Sequence, residues 1–235
     1  MTTLRHRGAG AGEGTGMVKL VGSANENWPD ISPYVVHFTK AEGKRKAYDN
    51  SLSILSHRRI EARSRFGTGR QYAAAPLSIC FSEIPLHNLA RLADKRGCYG
   101  IGFRKEFIVE RDGGPIMYAY KDTPRAKALR TMASKAKADQ DDSIWKIAPF
   151  VDQPGQYGPK SYFYEWEREW RHVGNLDFKE TDAAFLIIPE NLHSQARGFF
   201  NDAEAENLGP NYRCPFIDPY WNAAKVKAAF DEAQT

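Results

Sequence analysis

The sequence predicts an α+β fold: a single domain of small mixed or antiparallel sheets, built from short strands and flanked by helices. Three observations predict it. Short apolar runs, three of them flanked on one side by a proline, occur at 34–39, 77–83, 99–103 and 183–188, each of strand length. Segments of helical pattern or composition lie at 48–64, 88–95, 123–138 and 222–233. Strands and helices mix early in the chain while strands gather late, unlike a regular βαβ alternation.

Each element has its own reason. Residues 1–16 contain Gly-Ala-Gly-Ala-Gly-Glu-Gly-Thr-Gly and offer no core contacts, so a disordered tail is expected there and a globular domain over 17–235. The run 34–39 follows Pro33 and reads as a buried strand carrying His37. Over 48–64, Leu52, Ile54, Leu55 and Ile60 form the apolar face of a helix that Asn50 or Ser51 could cap; Gly67-Thr68-Gly69 then makes a loop. The strand at 77–83 leads through Pro85 into the helix at 88–95. In the strand 99–103 two glycines lower β propensity but permit close backbone approach. Phe107-Ile108-Val109 begins a further element, and a turn at Gly113-Gly114-Pro115 leads into 116–120. Alanines, lysines and Leu129 make 123–138 a polar, exposed helix. Three prolines and two glycines make 149–160 a long surface loop. The strand at 183–188 is stopped by Pro189, and 222–233 is a closing helix.

A chain of 235 residues, 42% hydrophobic, can bury one substantial core. The net charge of +4 is spread over several segments with no run of five or six basic residues, which tolerates nucleic acid or a nucleotide as partner without arguing for either. Cys80, Cys98 and Cys214 are odd in number and lack Cys-x-x-Cys spacing, so neither a disulfide framework nor a zinc knuckle is indicated. No apolar stretch reaches the roughly twenty residues of a membrane span, and no apolar signal core stands at the N-terminus. A soluble, cytoplasmic protein without a membrane partner is expected.

The stretch most suited to chemistry is 162–171, Tyr-Phe-Tyr-Glu-Trp-Glu-Arg-Glu-Trp-Arg. Read as a strand, it sets Tyr162, Tyr164, Trp166 and Trp170 on one face and Glu165, Glu167, Glu169 and Arg171 on the other. Neighbouring like charges repel, so this ledge requires solvent, a cation such as Arg171, or a ligand. A helix would instead bring Glu165 and Glu169 together at i,i+4 without an aromatic stripe; the strand is preferred because aromatics suit a pleated, half-buried surface. Cys80 reads as a small core residue. No metal is predicted, since His57, His87 and His172 form no ligand spacing. Gly67-x-Gly69 and Gly100-x-Gly102 complete no phosphate-binding pattern.

Six fragments taken together, His37-Phe38-Thr39, the helix with Leu52, Ile54 and Leu55, Ile79 to Leu86, Tyr99 to Phe103, Gly114-Pro115 with Tyr118, and Glu167 to Arg171, resemble the AbiGi family of abortive-infection (phage-resistance) proteins. Their order is also similar to that of ADP-ribosyltransferase-type folds, including DarT-like DNA-modifying toxins. That resemblance implies a phage-defence or toxin–antitoxin context and a split barrel that clamps NAD as cosubstrate. His37, with Thr39, would hold the NAD ribose, Tyr99 or Tyr118 would stack on nicotinamide, Arg171 would belong to the cofactor site, and Glu169 or Glu167 would be catalytic. ADP-ribose would pass to a nucleic-acid or protein acceptor. Independently of the name, a carboxylate can stabilise the positive charge that develops on ribose as nicotinamide leaves, a second can take the acceptor's proton, and Arg63, Arg65 and Arg70 could neutralise a pyrophosphate. The alternative is a non-enzymatic antitoxin or interaction module, bound to a cognate toxin or antitoxin through the charged strand face and the proline-rich loop. A third reading, metal-dependent nucleic-acid cleavage by Glu165, Glu167 and Glu169, has no accompanying Asp or His motif.

Overall fold

A sheet of seven strands organises the chain: β1 Tyr34–Thr39, β2 Ser78–Ser82, β3 Tyr99–Arg104, β4 Gly114–Pro115, β5 Glu169–Val173, β6 Ala183–Ile187 and β7 Phe216–Ile217. The computed structural model describes residues 30–233, and the tail expected over 1–16 lies outside them. Across the sheet the order is β7-β6-β3-β1-β2-β5-β4. Neighbours are antiparallel except β6 and β7, which are parallel. The sheet is open, with β7 and β4 at its edges, so the α+β class holds and these strands close no barrel. Three two-stranded ladders accompany it: Arg59–Ile60 with Leu176–Asp177, Met117–Tyr118 with Val151–Asp152, and the hairpin Gly155–Tyr157 with Lys160–Tyr162.

Alternation along the strands builds a core on each face. Val35, Ile79, Phe81, Ile101, Phe103, Trp170 and Leu186 point to the first, which is closed by Leu55 of α1 (Ala47–His57), Phe107 and Ile108 of α3 (Lys105–Val109) and Phe200 of α6 (His193–Ala205). Val36, Phe38, Phe185 and Ile187 point to the second, against Leu92 and Ala93 of α2 (Ala90–Arg96) and Val226 of α7 (Ala223–Glu232). Burying such side chains supplies about 1.5–3 kcal/mol each, and the sheet links both cores.

Local chemistry explains where elements begin and end. The helix expected over 48–64 stops at His57, because Arg58 takes a left-handed conformation (φ 51°) and returns its N–H to the Ile54 carbonyl. Arg59–Ile60 then becomes a strand, so Ile60 enters the core from a ladder and not from a helical face. The α1 start is held by Asp49, whose carboxylate accepts the Lys46 N–H at 3.0 Å; neither Asn50 nor Ser51 is its cap. Helix α4 (Pro124–Lys135), which the short α5 (Ile144–Ile147) follows, starts on Thr123, which accepts from Ala126 N–H, with Pro124 where no N–H is needed. Asn222 caps α7 in the same way, accepting from Lys225 at 3.0 Å. Residues 149–160, expected as a loop, contain most of the hairpin, whose turn passes through Gly158 at φ +61°. Helix α6 was not anticipated: it buries mainly Phe200, and Arg197 fastens it by donating to the carbonyls of Tyr212 and Cys214.

The stretch 162–171 is not one strand. Tyr162 ends the hairpin, Glu165–Glu167 forms a 3-10 turn, Arg168 reverses the chain at φ 44°, and only then does β5 begin. A left-handed residue breaks the alternation that would have aligned three carboxylates.

Gly102 is a packing constraint. A Cβ there would lie 2.1 Å from Cζ of Phe185 on the neighbouring β6. Gly102→Ala is expected to lower unfolding free energy by about 1–3 kcal/mol in urea denaturation, and Phe185→Leu in the same chain should recover part of the loss; an unchanged midpoint in the single variant would disprove this packing role.

Candidate functional site

On β5, Glu169 and Arg171 share a face and Trp170 takes the other. The register places Arg171 opposite Cys80 and Glu169 opposite Ser82 on β2. Arg171 is the largest fully buried side chain, with 0% of it exposed. Its Nε donates to Glu169 Oε1 at 2.8 Å and its Nη2 to Glu169 Oε2 at 3.1 Å, a two-point fork, and Nη2 also donates to Asp152 Oδ2 at 2.7 Å. Nη1 donates to the Pro149 carbonyl at 2.5 Å. The Phe66 ring lies 5.1 Å from the guanidinium carbon.

The partners are themselves held. Asp152 Oδ1 accepts the Gln153 N–H, and its Oδ2 also accepts the Tyr162 hydroxyl at 2.7 Å. The Tyr118 hydroxyl accepts the Glu169 N–H at 3.2 Å. Gly67 closes the top at φ +61°: a Cβ there would fall 2.3 Å from the Val151 carbonyl and 2.9 Å from Arg171 Nη1. Desolvation opposes a buried charge, but Glu169 and then Asp152 outweigh it and hold Arg171 above the ordinary guanidinium value. Burial, reinforced by Asp152, raises Tyr162, and burial raises Tyr118 to about 12. Burial and the Glu169 carboxylate push Cys80 well above an ordinary thiol, which disfavours the thiolate.

The other expected residues go elsewhere. Glu167 turns away, only 4% exposed, and pairs with Arg96 at the end of α2 at 2.5 Å. Glu165 acts on Tyr120, raising the pKa of that phenol, so the three carboxylates face three separate groups and form no common ledge. His37 is held at Nδ1 by the Cys80 carbonyl, 3.0 Å away, and its ring lies against Phe81, on the face opposite Glu169 and Cys80. Burial lowers its pKa, so it is a neutral imidazole donating to that carbonyl. Thr39 is buried and donates to the carbonyls of Ala47 and Tyr99, tying β1 to α1 and β3. The Tyr99 ring packs on Tyr48 at 5.5 Å. Of the three arginines suited to a pyrophosphate, Arg63 pairs with Glu42 and Glu61, and Arg65 donates to the carbonyls of Ala73 and Ala75.

The structure therefore brings together Tyr118, Glu169 and Arg171 and leaves His37, Thr39, Tyr99 and Glu167 outside that group. Sequence reasoning missed Asp152, which sits in a stretch expected as loop, with no spacing to connect it to Arg171.

A second surface feature lies between α1 and α6. A groove of about 250 Å³ is lined by Leu52, Leu55, Phe199, Phe200, Leu208 and Tyr212, and Phe199 and Leu208 are 55% and 76% exposed. It opens beside a more polar cleft of about 820 Å³ bearing Arg58, Glu180, Glu204 and Arg213.

A family model described as "Putative abortive phage resistance protein AbiGi, antitoxin" matches residues 52–209. The chain belongs to this family. No curated protein and no solved structure matches it. The AbiGi span contains Arg171 and every residue bonded to it, and takes in the groove's lining from Leu52 to Gly209, with Pro210 and Tyr212 just beyond it; β1, with His37 and Thr39, precedes it. Among the described residues, no helix is long and apolar enough to cross a membrane.

Arg171→Met should leave Glu169 and Asp152 facing each other uncompensated and cost about 3–5 kcal/mol, and Arg171→Lys, lacking the fork, should recover only part of it; urea midpoints equal to wild type would refute the central role of Arg171. Burial also depresses His37 and His172 in the folded state. A depressed imidazole contributes stability that is fully present above the unfolded value of about 6.5 and is lost as pH falls through the folded value. The melting temperature should therefore drop between neutral pH and pH 5, and drop less in the His37→Gln, His172→Gln double variant; parallel profiles would show that these histidines are not responsible.

Proposed function

We propose that this AbiGi-family chain is a non-enzymatic antitoxin of a phage-defence system that restrains a cognate toxin by direct contact. One observation carries the reading: both oxygens of Glu169 accept hydrogen bonds from the buried Arg171. A carboxylate so engaged is a structural counter-ion and is poorly placed to stabilise a developing charge on ribose. The family's antitoxin description supports the same conclusion. The α1–α6 groove is the surface assigned to the toxin, because exposed Phe199 and Leu208 beside a preformed apolar groove match the buried apolar anchors of protein interfaces.

Transfer of ADP-ribose from NAD is the second reading, and the meeting of Tyr118, Glu169 and Arg171 favours it. It would require His37 to reach the same cleft, whereas that ring packs on Phe81.

The decisive experiment is co-purification with the protein encoded beside this gene, together with NAD titration of the isolated chain. Stoichiometric capture by wild type and by Glu169→Gln, lost in Phe199→Asp and Leu208→Asp variants that still fold, is the expected result. NAD binding with nicotinamide release that disappears in Glu169→Gln would replace the antitoxin reading with the transferase one.

A further inference from the structure

The chain's modest net charge of +4 is unevenly distributed in space. Three segments distant in sequence, 90–96, 117–138 and 155–166, contain ten basic and three acidic residues, a local excess of seven that is bordered just past the end of α4 by Asp139, Asp141 and Asp142. The fold joins them. Lys121 N–H donates to the Pro154 carbonyl and Lys121 Nζ to that of Gln156, pinning the hairpin beside the start of α4. From the other side, Lys95 of α2 lies 5.2 Å from the Tyr164 ring and 4.6 Å from Trp166, and Arg91 lies 3.8 Å over Trp166. Tyr162 and Tyr164 meet edge to face at 4.9 Å, and Lys121 covers Tyr157 at 4.8 Å.

Half of the cations of this surface are uncommitted. Arg125, Lys127, Lys135, Lys137 and Lys160 are exposed, and among the described residues none of them takes part in an ion pair. The acidic residues are engaged: Asp94 accepts from the Tyr220 hydroxyl, Glu165 acts on the Tyr120 phenol and raises its pKa, Asp122 lies 3.7 Å from Lys121, and at the border Asp139 and Asp142 accept the N–H groups of Asp141 and Ile144. Phe163 is 50% exposed, and Tyr120, Tyr157 and Tyr164 are exposed beside it. Exposed aromatic faces interleaved with free cations are the two components of a single-stranded nucleic-acid surface: bases stack on the rings and phosphates follow the charges. Six of the ten basic residues are lysines, a type depleted from protein–protein interfaces but suited to phosphate contacts that release counterions.

We propose that the surface formed by α4, the hairpin and the exposed edge of α2 binds a single-stranded polynucleotide, with α4 tracking the backbone and Phe163 and its neighbouring tyrosines stacking on bases. It shares no residue with the α1–α6 groove, so it stands or falls independently of the antitoxin reading.

Fluorescence anisotropy of the full chain with labelled 20-nucleotide oligo-dT, oligo-rU and a duplex of equal length, over a salt series, tests this. Five phosphate contacts on a single strand give a slope of log affinity against log salt of about −3.5, or roughly a hundredfold loss between 50 and 200 mM salt. Lys127→Gln, Lys135→Gln, Lys137→Gln together should reduce the slope to about −1.4. Phe163→Ala should weaken single-strand binding roughly tenfold and leave the slope unchanged. Tighter binding of oligo-rU or of oligo-dT would identify RNA or DNA as the polymer. No binding at low salt, a duplex preferred over both single strands, or a triple variant that binds like wild type while melting like it would overturn the proposal. Poly-glutamate bound as tightly as the oligonucleotides, with Phe163→Ala silent, would overturn it in favour of an acidic protein partner.

Discussion

The Arg171 guanidinium is the point on which the late half of the chain depends. Its five N–H groups are arranged as a flat fork, and the structure surrounds it with two carboxylates and a carbonyl from β5 and from the segment that follows the buried Ile144 and Trp145. Pro149 and Asp152 lie on either side of the buried Val151 in that segment, and Gly67 belongs to a loop that only a residue without a side chain could bring so close. Removing a charge of this size from water is tolerable only when its donors are matched, and the match constrains where each partner can lie.

That constraint changes how the carboxylates are understood. Glu169 faces the interior, saturated by the arginine two residues away on the same strand face; Glu167 is turned by Arg168 into contact with α2. Ion pairs that would be ordinary on a surface here serve to join elements, Glu167 to Arg96 and Asp152 to Arg171. The chemistry available at β5 is therefore mainly structural, while the open surfaces lie to either side: an apolar groove between α1 and α6, and a basic, aromatic surface around α4 and the hairpin. A family described in antitoxin terms is compatible with a molecule whose central charges are internal.

Much of the fold could be read directly. The strand at 34–39 coincides with β1 because a short apolar run after proline has few alternatives, and Asn222 marks the start of α7 because its side chain supplies an acceptor that the first turn lacks. Errors arose where the backbone left the standard regions. Arg58 and Arg168 both adopt left-handed conformations without being glycine or asparagine, and each ended an element that side-chain periodicity would have continued. Of the candidate site, Glu169, Arg171 and Tyr118 were legible from alternation and family likeness, and the structure does bring them together; Asp152 was not, since a carboxylate in a proline-rich segment has no pattern that points to a partner nineteen residues away.

By itself the sequence determined the α+β class and four of the sheet's seven strands, β1, β2, β3 and β6, because these follow from local propensity and from which residues avoid water; β4, expected as a turn, and β7, expected as no element, owe their place to their neighbours in the sheet. Tertiary structure alone decided which charges meet. Coulombic and hydrogen-bond partners are chosen by distance in space, so the pairing of Arg171 with Asp152, the separation of Glu167 from Glu169, and the contacts of Lys121 with the hairpin and of Arg91 and Lys95 with Trp166 exist only once the chain has folded.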